Sequence, residues 1–236
     1  MQSIAIKTAQ MFLSLFIITF VHEIGHYLWA RLFRIRVARF QIFGFSILEW
    51  QSLRLDTKIG IGWLPLGGYC LMPEMSSCDS SFKKLFVYLG GVMNNLLLAF
   101  FIFQCIAWFY SPTSAKMIDG THLFKEGIQN YGQALATANP SDNGGFISLG
   151  SIFQDSWNSF RFWFITAYFS IAMAFINLAP IPGLDGGQII TTVIETVIRR
   201  PIRENVKICA NVIGLSIVLI LILYGNYNDI VRLLNG

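Results

Sequence analysis

The sequence predicts an all-α polytopic membrane protein with about four transmembrane helices and a small membrane-associated β-hairpin between the first and second. Three observations carry this. Of the 236 residues, 54% are hydrophobic and 13% charged, with a mean hydropathy of +0.56; a soluble domain carries about a quarter charged residues. Apolar runs at 4–32, 85–110, 160–179 and 208–224 meet the roughly 17–25 residues that a helix needs to cross a bilayer. Residues 40–73, between the first two runs, lack a helical pattern.

The N-terminal run has no Arg-rich leader with a small-residue cleavage site, so it reads as a retained span rather than a removable signal. FQIFGFSIL (40–48) and KIGIGW (58–63) are rich in β-branched and aromatic residues and interrupted by Gly, which predicts strands. Pro65, Gly67 and Gly68 mark a turn after the second strand. So much apolar surface suggests a segment that dips against the membrane or the helices, where protein or water must satisfy its backbone. An ordinary amphipathic hairpin is the alternative. Residues 111–159 are polar and Gly-rich with a turn at Asn139-Pro140, enough for a loop with a helix or two. The chain, 1–236, reads as a single domain without internal repeats.

Of 17 Lys and Arg residues, twelve fall in 31–84 and 199–207. Positive charge collects on the cytosolic side of a membrane, so these segments are expected inside, and both termini and the 111–161 loop outside. Nothing points to nucleic acid as a partner; the lipid bilayer is one. Cys105 and Cys209 lie in apolar runs and read as small core residues. The Cys70–Cys78 spacing fits no zinc pattern.

Within the first run stands HEIGH, residues 22–26. Titratable groups in hydrocarbon cost a few kcal/mol each and mark function. His-Glu-x-x-His on a helix is a zinc-binding arrangement: His22 and His26 lie on one face, one turn apart. Glu23 follows the first ligand, placed to take a proton from water activated by the metal. Catalytic zinc takes three protein ligands and an open position, so a third is needed. His122, in the external loop, is one candidate. Asp185 is the stronger. It ends NLAPIPGLD, where Pro180 and Pro182 stop or kink the third run, and Gly183, Gly186 and Gly187 allow a tight backbone around it.

With both motifs in view, the chain resembles the site-2 protease family of intramembrane zinc metalloproteases. HEIGH matches that family's H-E-x-G-H, and NLAPIPGLDGG (177–187) its N-x-x-P-x-P-x-L-D-G-G. FGF (43–45) and LPLGGY (64–69) look like its membrane-associated hairpin, GVMNNLLLA (91–99) like its G-P-x-x-N-x-x-x-A helix, and GGFISLG (144–150) like a stretch before its third span. Val92 stands where that helix usually has Pro. The external loop has no room for the PDZ domain of many bacterial members, and no CBS domain follows the last span, so the resemblance is to a minimal member.

The resemblance implies zinc held by His22, His26 and Asp185, with Glu23 as general base and later proton donor to the leaving amine. It implies Asn95 and Asn177 as contacts for an unwound substrate strand, and a hairpin that pairs with that strand. It further implies a bacterial inner membrane, substrates that are single-span or signal-anchored proteins, and a regulatory membrane partner that gates access. The rivals are a transporter that conducts zinc or protons, which needs neither Glu23 nor the hairpin, and a catalytically silent scaffold.

Overall fold

The computed structural model describes residues 2–52, 56–64, 67–75, 78, 80–110, 119–137 and 146–235. The elements are α1 (Gln2–Leu32), β1 (Arg39–Ile42), β2 (Gly44–Ser52), β3 (Thr57–Leu64), β4 (Tyr69–Leu71), a 3₁₀ turn (Pro73–Met75), α2 (Ser81–Tyr110), α3 (Gly120–Thr137), α4 (Phe146–Ser151), α5 (Ser159–Leu178), α6 (Asp185–Ile198) and α7 (Glu204–Asn235). Stretches of α1, α2, α5 and α7 have the length and apolarity to cross a membrane: Ile4–Leu32, Ser81–Phe109, Ser159–Leu178 and Glu204–Leu234. The second begins four residues before the expected 85, and the last runs ten past the expected 224. Asn139-Pro140 and Pro65 lie outside the described residues, as do Gly144 and Gly145.

The chain forms two compact units. One comprises Leu15–Leu96 and Met173–Val212 and holds the sheet and α6. In it, α1 ends in a Schellman closure: Arg34 takes a left-handed φ of 59°, and Ile35 N–H donates to Ala30 O at 2.8 Å. That motif satisfies end carbonyls and packs the flanking apolar residues together; Ala30 and Ile35 are both buried, with Val37, Met75 and Val87.

The sheet order is β2-β3-β1-β4, with β1 parallel to β3 and the other pairs antiparallel. The expected strand 40–48 is thus two strands. Phe43 (φ 62°) and Phe45 (φ 54°) leave the extended region, and the chain crosses the end of β3 from one side to the other. Gly62 lies under the crossing, where a Cβ would meet Phe43 O at 2.7 Å. The buried Gln41 ties it down: its Nε2 donates to Phe43 O at 2.9 Å, and Oε1 accepts from Ser46 Oγ at 2.8 Å. Phe40, Ile42 and Phe43 pack on Leu15, Phe16, Ile24 and Tyr27 of α1. β2 is exposed on both faces except at its ends, unlike the alternating burial of an ordinary amphipathic strand.

The other unit comprises Met1–Ser14, Leu97–Ala172 and Ile213–Gly236. Phe103, Phe153, Phe162 and Ile171 form its core. The segment after α4 is clipped to α1, through Gln10 Nε2 to Gln154 O at 3.0 Å and Lys7 to Asp155 at 2.8 Å. Ser148 N–H donates to Asp229 of α7 at 3.0 Å. Cys209 is exposed on α7 rather than in the core, and all four cysteines are free. It falls on the outward side of a helix whose apolar run has little else to pack on, so apolarity there did not mean interior.

Candidate metal centre

Three atoms from two distant parts of the chain converge. His22 Nε2 lies 3.1 Å from His26 Nε2. Asp185 Oδ2 lies 3.1 Å from His22 Nε2 and 3.3 Å from His26 Nε2. Both histidines are buried, and Asp185 is nearly so. α1 supplies the histidines through its one-turn spacing. The α5–α6 turn supplies Asp185: α5 stops at Leu178 before Pro180, Gly183 takes a φ of 95°, and Asp185 opens α6. Gly187 makes this turn sterically feasible, since a Cβ would meet Pro182 Cα at 2.7 Å.

The tautomers follow from the partners. His26 Nδ1 is 2.8 Å from Val87 O. A carbonyl only accepts, so Nδ1 carries the hydrogen and Nε2 presents a lone pair. Asn95, fully buried, places its Nδ2 3.2 Å from His22 Nδ1; with the amide turned over, which exchanges two nearly indistinguishable ends, its oxygen accepts from Nδ1–H. Two imidazole lone pairs and a carboxylate oxygen then face one another. Asp185 Oδ2 is buried with no hydrogen-bond donor among the described residues. Such a donor set calls for a cation. Three ligands about 2.0–2.1 Å from a tetrahedral zinc stand about 3.3–3.4 Å apart, close to the observed triangle, so the residues fit zinc.

Glu23 is buried, at 4% exposure, and its Oε2 also lacks a partner among the described residues. β4 meets it here. A Cβ at Gly68 would lie 2.8 Å from Glu23 Cγ, and Cys70 Sγ donates to Glu23 O at 3.4 Å. α2 closes the site with glycines. A Cβ at Gly91 would lie 2.6 Å from His22 Cε1 and 2.6 Å from His26 Nε2; one at Gly90 would lie 2.7 Å from Gly25 O. Small residues let membrane helices approach backbone to backbone, and here they let α2 lie against the HEIGH turn. Asn94 Nδ2 donates to Val21 O at 3.3 Å across the same contact.

The structure does not bring His122 to this point; it is exposed on α3 and faces Glu126 at 3.5 Å. Asn177 is buried, and its Nδ2 donates to Met173 O of its own helix at 3.0 Å. The sequence does not single out Gly68, Val87 or Gly91 as parts of this site. Only the glycine pairs at 67–68 and 90–91 gave any signal, because a backbone carbonyl leaves none.

Comparisons with known proteins agree with this geometry. The model of Peptidase family M50 matches residues 10–221. A "Putative zinc metalloprotease" of Campylobacter jejuni is 24% identical, with 91% of this chain and 90% of the relative covered. That alignment spans 335 positions against 236 residues here, so the relative carries insertions that this chain lacks. Another so named, from Borreliella burgdorferi, is 31% identical over 40% of this chain and 26% of its own length. One from Streptococcus pneumoniae is 34% identical over 30% of this chain and 17% of its own length. Both motifs and all three converging residues lie inside the matched span: the chain belongs to Peptidase family M50, the zinc-dependent site-2 protease family.

Proposed function

We propose that this protein is an intramembrane endopeptidase that hydrolyses peptide bonds within the membrane spans of single-span or signal-anchored proteins. The observation that carries this is the convergence of His22, His26 and Asp185 beside the buried carboxylate of Glu23, with the two histidines and Glu23 on α1, a helix apolar enough to cross a bilayer. His22, His26 and Asp185 would hold zinc. Zinc supplies a Lewis acid that lowers the pKa of water and polarises the scissile carbonyl. Glu23 takes the proton of the attacking water and returns it to the leaving amine. In this reading Val87 O and Asn95 hold the two imidazoles in the ligating tautomer. Asn177, whose Nδ2 donates to Met173 O, would offer its carbonyl oxygen to the substrate strand.

A transmembrane helix hides its amides in internal bonds and must unwind to be cut. β1 and β3 are interior strands, which leaves β2 and β4 as the sheet edges. β4 is the edge beside Glu23, so it is the edge we propose for pairing with the unwound strand. A transporter of zinc or protons would need neither Glu23 in this position nor a peptide-pairing edge. The orientation supported by the basic residues puts the sheet and the α6–α7 turn in the cytosol and both termini outside, in a bacterial inner membrane. The test compares membranes holding the unmodified protein with membranes holding Glu23→Gln. Truncated membrane stubs that accumulate only in the variant support the reading, and identical membrane proteomes contradict it.

A further inference from the structure

A cavity of about 360 Å³ is lined by residues that stand close in sequence to those of the metal centre. Met72 and Pro73 line it directly beyond the end of β4. Tyr88 lines it one residue from Val87, whose carbonyl holds His26, and Gln188 lines it three residues after Asp185. A strand paired along β4 would therefore continue into it.

The cavity is polar, and its charged lining residues are two cations, Lys84 and Lys207, and two carboxylates, Glu195 and Glu204. Glu195 Oε1 accepts from Lys207 at 2.7 Å and from Ile202 N–H at 2.9 Å. Burial pushes the Glu195 carboxyl up, but the Lys207 and Ile202 hydrogen bonds and the nearby ammonium charges hold it below the ordinary range, so it is ionised and committed. The hydroxyls of Thr191 and Thr192 donate back to Gly187 O and Gln188 O, each at 2.8 Å, and offer only lone pairs inward. Glu204 is exposed. Lys84 differs. Its side chain is only 13% exposed, and its ammonium reaches Glu195 Oε2 at 3.9 Å, too far for a hydrogen bond. A mostly buried cation with hydrogens to spare is costly until an acceptor arrives.

We propose that this cavity receives the cytosolic flank of the substrate's span and that Lys84 selects an acidic side chain there. This rests on the endopeptidase reading and its orientation. A carboxylate entering beyond β4 would complete the hydrogen bonding of Lys84 and fix the strand's register over Glu23.

The test uses full-length Glu23→Gln protein in detergent and two fluorescent single-span peptides, identical but for an Asp-Glu or a Lys-Lys cytosolic flank. The acidic peptide is expected to bind about tenfold tighter, the scale of a hydrogen bond to a charged group. Lys84→Glu should reverse the preference, Lys84→Gln abolish it and Lys84→Arg retain it. Arg203→Gln, an exposed cation outside the cavity, should leave the ratio intact. Equal affinities, or a preference untouched by Lys84→Gln and Lys84→Glu, would overturn the proposal. A Lys84-dependent preference in binding, with neither peptide cut by the unmodified protein, would overturn the endopeptidase reading and leave the cavity as a peptide site.

Discussion

A Cβ at Gly91 would stand 2.6 Å from His26 Nε2, the atom that faces Asp185 Oδ2 at 3.3 Å. α2 thus touches the HEIGH turn where a ligand lone pair points, and only hydrogen fits there. Gly91→Ala should displace the imidazole or the helix and weaken zinc binding by about 10–100-fold, the scale seen when a ligand's support is disturbed. Helix content by circular dichroism should stay unchanged. Competition with a zinc chelator measures the effect; unaltered affinity would mean that α2 moves aside freely.

Asn95 stands 3.2 Å from His22 Nδ1. If it orients His22, Asn95→Leu should lower zinc affinity by about 10–100-fold, while Asn95→Asp, which keeps an acceptor, should retain most of it. If Asn95 contacts substrate instead, KM rises and zinc affinity holds in both variants. Measuring the two quantities on the same preparations separates the roles.

The sequence showed the parts of this site that rest on side chains at fixed spacing. His22 and His26 are one helical turn apart, and the Pro-Gly setting of Asp185 announces a turn. It did not show where α2 would touch, because that contact is made by hydrogens and carbonyls at Gly90, Gly91 and Val87. The split of 40–48 into two strands was hidden too, since Phe43 and Phe45 take positive φ against the habit of bulky residues. α6 is obscured in the sequence although Ile190, Val193, Ile194 and Val197 carry a helical period, because the Pro-Gly motif before it signals a turn.

If β4 is the template edge, a Pro at Cys70, whose N–H faces away from β1 because Tyr69 and Leu71 pair with Gln41 and Arg39, should remove the outward backbone donor and abolish cleavage of a transmembrane substrate with zinc content retained. Leu48→Pro, on the edge strand β2, should leave most cleavage. The opposite ranking would move the substrate to β2.

Orientation is open to labelling. A Cys introduced at Arg36, in a cysteine-free background, should resist an impermeant thiol reagent applied to intact cells and react after permeabilisation. A Cys at Lys125 should react from outside. The reverse pattern would invert the topology and take the sheet out of the cytosol.

The central claim is that His22, His26 and Asp185 hold the metal and Glu23 does not. Zinc per purified protein, determined by plasma mass spectrometry, tests it most directly. The account predicts near one zinc in the unmodified protein and in Glu23→Gln. It predicts strong loss in His22→Ala, His26→Ala and Asp185→Ala, and an intermediate value in Asp185→Asn, whose neutral oxygen is a poorer ligand. Full occupancy in Asp185→Ala, or loss of zinc in a folded Glu23→Gln protein, would contradict it.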